Sequence, residues 1–152
     1  MTERSTPNKV LQNKLDQAER SVTLTAKALE GAQYPLAFRC SVEAVSILEG
    51  VHPQLPQTDQ RYQEVHAKLQ PSVYRSYVTA ALAYAKDCIK KGADLGIVQR
   101  LLHTVPLYLP KAAVKHPEKH LATTAKLQQQ LAAKLFKQQK KQSENKPLEA
   151  RL

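Results

Sequence analysis

Tryptophan is missing from this chain, methionine occurs once, and glycine occurs four times in 152 residues. Each shortage excludes something. A phosphate-cradling loop needs clustered glycines whose amides converge on an anion, and Gly31, Gly50, Gly92 and Gly96 stand instead near expected helix boundaries. The two cysteines, Cys40 and Cys88, are too few for a disulfide scaffold. Both fall within helical patterns, where they read as small buried hydrophobes of a reducing compartment. No apolar run approaches the ~18 residues of a membrane span. The opening MTERSTPNKV lacks the apolar core of a secretory signal, and Glu3, Asp16 and Glu19 argue against a mitochondrial presequence. A cytoplasmic location is expected, and a nuclear one is compatible with the same features.

What remains, with 42% hydrophobic and 24% charged residues, is a globular domain long enough to withdraw roughly 70% of its unfolded surface from water. Its apolar residues recur at helical spacing throughout, which predicts an all-α fold with no sheet. The pattern gives a bundle or irregular array of five to six helices, a single domain over 8–136, followed by a basic, polar and mobile tail over 137–152. Thr6 followed by Pro7 is a cap-and-proline start for a helix over 8–30, whose stripe is Leu11, Leu15, Ala18, Val22, Ala26 and Leu29, with Gly31 as the left-handed residue that ends it. Pro35 opens a second helix over 35–49 that buries Ala37, Cys40, Ala44, Ile47 and Leu48 and stops at Gly50. The short link between the two makes an antiparallel hairpin, and the small alanines let its backbones approach closely.

Two prolines in VHPQLPQT, residues 51–58, make that stretch a loop. A helix over 59–69 follows, started by Thr58 and Asp59, and Pro71 separates it from a fourth over 72–91. The broad stripe of this fourth helix, with Tyr74, Tyr77, Tyr84, Cys88 and Ile89, marks it as the hub of the core, and Gly92 closes it. Asp94 caps a fifth helix over 95–104. VPLYLP then reads as a turn or 3₁₀ segment, and a last helix over 118–141 starts at Pro117 with an apolar spine of Leu121, Ala125, Leu127, Leu131, Ala132 and Leu135.

The net charge of +10 is unevenly placed: residues 1–61 balance, residues 62–110 carry +3 and residues 111–152 carry +7. An acidic partner is therefore met by the C-terminal part of the chain. Sixteen of the 23 basic residues are lysines, point charges on flexible stems that suit attraction to a phosphate backbone better than bidentate reading of bases. The expected contacts are Lys111, Lys115, Lys119, Lys126, Lys134, Lys137, Lys140 and Lys141, of which Lys119, Lys126 and Lys137 share one helical azimuth.

Chemistry-bearing motifs are absent or weak. His116 and His120 are four apart, but Pro117 lies between them and no third ligand accompanies them, so neither a metal nor another cofactor is expected. Arg61 and His66 have a spacing at which a helical ribonuclease would hold a phosphate and shift a proton. With 7 Arg and 5 His in the chain, such a pair arises by chance about as often as not. An exposed Arg61 and a His66 packed beside Leu69 are the ordinary expectation. No catalytic residue is assigned, and two functions stand beside each other. The first is a non-enzymatic protein that associates with nucleic acid through non-specific phosphate contacts of its Lys-rich C-terminal helix and tail. The second is an interaction or assembly subunit that binds a protein partner or a second copy through apolar residues such as Leu107, Leu109 and Leu127, expected to be exposed, while the basic tail serves solubility.

Overall fold

The computed structural model describes residues 2–57 and 59–144, and every regular element among them is helical. The elements are α1 (Thr2–Glu30), α2 (Tyr34–Val51), α3 (Gln60–Lys91), α4 (Leu95–Tyr108) and α5 (Pro117–Glu144), with 3₁₀ segments at His52–Gln57 and Leu109–Ala112. The fold is a five-helix bundle with no strand among the described residues.

Small residues decide how α1 and α2 meet. On α1 the buried line is Leu11, Leu15, Ala18, Ser21, Thr25 and Ala28, and α2 answers with Ala37, Ser41 and Ala44, each fully buried. Side chains this short let the two helices lie close along their length. The expected stripe is thus rotated in its second half: Ser21 and Thr25 take the place of Val22, which is half-buried, and Ala26, which is exposed. Their hydroxyls are no penalty there, because Thr25 Oγ1 donates to the Ser21 carbonyl at 2.8 Å and Ser41 Oγ to the Phe38 carbonyl at 2.7 Å. Ala28, Ala37 and Ala80 form a second small cluster where α1 and α2 meet α3.

Both ends of α1 differ from expectation. The helix begins at Thr2 and takes in Thr6 and Pro7. The missing proline N–H forfeits one bond near an end where the first amides have no intrahelical partner in any case. At the other end the left-handed residue is Ala32, with φ 56°, one position beyond Gly31. Gln33 N–H donates to the Ala28 carbonyl at 2.8 Å and Ala32 N–H to the Leu29 carbonyl at 3.1 Å, the paired closure of a Schellman motif. Gly50 does not stop α2 either. The helix runs to Val51, and residues 52–57 wind on as a 3₁₀ segment, a tighter turn that tolerates its prolines. Leu55, buried at its centre, and Gln63 Nε2 donating to the Leu55 carbonyl at 3.0 Å hold it to α3.

Pro71 does not divide α3, so two of the expected helices are one of 32 residues. The reason is phase: Tyr62, Val65, Leu69, Val73 and Tyr77 follow one another at three or four residues across the proline, and all pack on the same core. Burial along that face outweighs one lost backbone bond. Asp59 caps the start by accepting from Arg61 N–H at 3.2 Å, and Gly92, with φ 70°, closes the end as expected. Tyr74, Tyr77 and Tyr84 are all buried, the last stacked on Phe38 at 5.3 Å between ring centroids, so α3 is the hub of the core.

Asp94 occupies the cap position of α4 in a left-handed conformation, and its side chain makes no capping bond. α4 passes through Pro106 to Tyr108 before the 3₁₀ turn. That turn buries Leu109, whereas Leu107 is 71% exposed. Leu127 is buried as well, so of the three leucines expected at the surface only Leu107 lies there. α5 docks through Thr124, Leu127 and Leu131; Leu121, Ala125 and Ala132, expected in its spine, face solvent. It continues as helix to Glu144, three residues past the expected end at 141, and carries Lys137, Lys140 and Lys141, while 145–152 lie outside the described residues.

Candidate functional site

Two surfaces carry the polar chemistry. The first is the lysine face of α5. At 100° per residue, Lys119, Lys126 and Lys137 fall within about 20° of one another, with Lys141 and Lys140 to either side. The docked line of Thr124, Leu127 and Leu131 is centred roughly 110° away, and all five lysines are exposed. From Lys119 to Lys137 the helix rises about 27 Å. Among the described residues the ion pairs are Lys91 with Asp87 and His116 with Glu118, so none of these five lysines is engaged by a carboxylate.

Three of the expected contacts sit elsewhere. Lys115 is exposed in the turn before α5. Lys134 is half-buried, and its Cε lies 3.2 Å from where a Cβ on Gly92 would be, so its stem packs on the end of α3. Lys111 is held over two aromatic rings: its Nζ lies 5.3 Å from the centre of the Tyr74 ring and 5.8 Å from that of Tyr108.

The second surface is a cleft of about 170 Å³ beside Lys111, lined also by Leu48, Glu49, His52, His66, Gln70 and Tyr74. His66 and Tyr74 form its buried floor. The 3₁₀ turn after α2 brings His52 over α3, where its Nδ1 stands 3.4 Å from His66 Nε2 with the rings 4.9 Å apart. Burial first, then the neighbouring His52, hold the His66 imidazole below its usual range. Tyr74 donates its hydroxyl to Glu49 Oε1 at 3.3 Å. Burial first, then the facing Glu49 carboxylate, push the Tyr74 phenol up to about 12, and Tyr108 is raised by the same two causes. The structure does not bring His66 together with Arg61. Arg61 is exposed at the start of α3 over the Tyr62 ring at 5.6 Å. Fourteen residues and two prolines separate His52 from His66, so no spacing rule announces their meeting.

No group of three His, Cys, Asp or Glu residues that would hold a metal ion occurs among the described residues. No helix there is long and apolar enough to cross a membrane. Comparison with protein-family models, with curated proteins and with solved structures found no match. The fold and its surfaces thus define the class, a small all-helical domain.

Proposed function

We propose that this protein is a non-enzymatic, nucleic-acid-associated protein that meets the phosphate backbone along α5. The observation that carries the reading is the exposed row of Lys119, Lys126, Lys137, Lys140 and Lys141 on a helix docked through a different face, without carboxylate partners among the described residues. Ammonium groups spaced over about 27 Å match a polyanion and not a point ligand. The face offers no bidentate guanidinium fork, so attraction is to phosphates and not to base edges. Recovery of the protein with crosslinked nucleic acid from its own cells tests this. Recovery of a protein partner alone contradicts it.

A second reading, an assembly subunit, draws on three apolar side chains left in solvent on α4 and α5: Leu107 at 71%, Phe136 at 67% and Leu121 at 45%. A stable dimer in sedimentation that Leu107→Ser and Phe136→Ser abolish is its signature.

A further inference from the structure

We propose that the cleft between α2, α3 and Lys111 is a receptor for a single phosphate-class oxyanion, held by His52, His66, Gln70 and the Lys111 ammonium. Several donors of the cleft lack an acceptor. Glu49, the carboxylate of the cleft, already accepts from the Tyr74 hydroxyl and faces Tyr108. Lys111 is held at the rim by two aromatic rings and has no ion-pair partner among the described residues. The Gln70 amide lines the cleft without a hydrogen bond among the described residues. The two imidazoles have one contact between them, at 3.4 Å, long for an N–H···N bond. Beside Glu49 the cleft thus gathers an ammonium, an amide NH₂ and imidazole N–H groups, a set of donors that suits an oxyanion.

The volume agrees: about 170 Å³, lined by the buried His66 and Tyr74 and by the exposed His52, Glu49 and Lys111, has room for a tetrahedral oxyanion. Binding is coupled to protonation. The empty cleft balances Lys111 against Glu49, and a dianion adds negative charge beside two imidazoles 3.4 Å apart, so one of them takes up a proton as the anion enters. The groups that face the pair are Glu49 from α2, Tyr74 from α3, Tyr108 from α4 and Lys111 from the 3₁₀ turn. This site is independent of the lysine face on α5.

The test uses the full chain and sulfate, which stays a dianion from pH 5 to 8, so any pH dependence belongs to the protein. The expected result is saturable movement of the His52 and His66 ring resonances, with affinity rising by up to about tenfold per pH unit as pH falls from 7.5 to 6, the limit for one proton taken up. Lys111→Met, at an exposed position, and His66→Gln each weaken binding at least about tenfold, whereas His116→Gln with His120→Gln and Lys119→Gln with Lys126→Gln leave it unchanged. Inorganic phosphate and a 5′-phosphorylated oligonucleotide are then set to displace sulfate, a 5′-hydroxyl oligonucleotide serving as control. Displacement by the first alone makes the source a free phosphate, and displacement by the second but not the control makes it a nucleic-acid end. Immobile ring resonances, or equal sulfate affinity in folded Lys111→Met, overturn the proposal.

Discussion

Gln138 donates from Nε2 to the carbonyl oxygen of Gly92 at 3.2 Å, so the far end of α5 is tied to the close of α3. The bond explains why a helix with few buried apolar side chains stays docked beyond Leu131. Gly92 is left-handed, and an added Cβ would meet the flexible Lys134 stem at 3.2 Å, which can move. Gly92→Ala is therefore expected to cost about 1 kcal/mol, mostly backbone strain. Gln138→Ala should cost about 0.5–1.5 kcal/mol. Urea denaturation of each variant checks both: an unchanged midpoint for Gln138→Ala would mean that the α5 terminus is undocked in solution, and one for Gly92→Ala would contradict the left-handed closure of α3.

Ala32 presents the mirror case. It holds the same left-handed position at the end of α1 that Gly92 holds at the end of α3, yet it carries a Cβ. Ala32→Gly should stabilise the fold by about 0.5–1 kcal/mol, the relief of strain less the entropy gained by the unfolded chain. A rise in melting temperature is the expected outcome, and a fall contradicts the geometry of this turn.

These two positions also show where the sequence was legible. Gly92, preceded by a long periodic stripe and two lysines, could be read directly. Gly31 looked the same, but the chain turns one residue later, because the motif requires a conformation and glycine only makes it cheap. Pro71 and Pro106 were read as breaks since local rules count the lost backbone bond and not the tertiary burial that holds Tyr62, Leu69, Val73 and Tyr77 in phase. Ser21 and Thr25 were passed over as polar, although short hydroxyl side chains bond their own helix and pack closely. At the surface, the azimuth shared by Lys119, Lys126 and Lys137 follows from helical periodicity alone. The removal of Lys111 and Lys134 from that face, and the meeting of His52 with His66, are products of tertiary structure that no spacing encodes.

Core packing gives the next expectation. Leu15 is 1% exposed and Leu131 5% exposed. Leu15→Ala should lose about 2–4 kcal/mol through an unfilled cavity. Leu131→Asp places a charge against the body and should destabilise the whole fold by several kcal/mol. Thermal melting with sedimentation separates this from the alternative, a folded monomer released from a dimer.

His66 predicts an acid-side weakness. Its folded pKa lies below the ordinary 6.5, through burial first and His52 second. Above 6.5 both folded and unfolded states are neutral at this residue and stability is fully retained. As pH falls below that value the unfolded chain takes up the proton first, so stability declines by at most about 1.4 kcal/mol per pH unit until the lower folded pKa is passed. His66→Gln should flatten the change in stability between pH 7 and pH 5. The same decline in variant and wild type would assign it to other groups.

The central claim, that α5 meets phosphates with its lysine face, is tested most directly by the salt dependence of nucleic-acid binding before and after Lys119, Lys126, Lys137 and Lys141 are all changed to Gln. The exposed positions predict an unaltered melting temperature. For the wild type, log affinity should fall linearly with log salt, equally for unrelated sequences, and the fourfold variant should lower the magnitude of that slope by about 3–4, close to one unit per contact removed. A slope that the four substitutions leave unchanged in a folded variant contradicts the account.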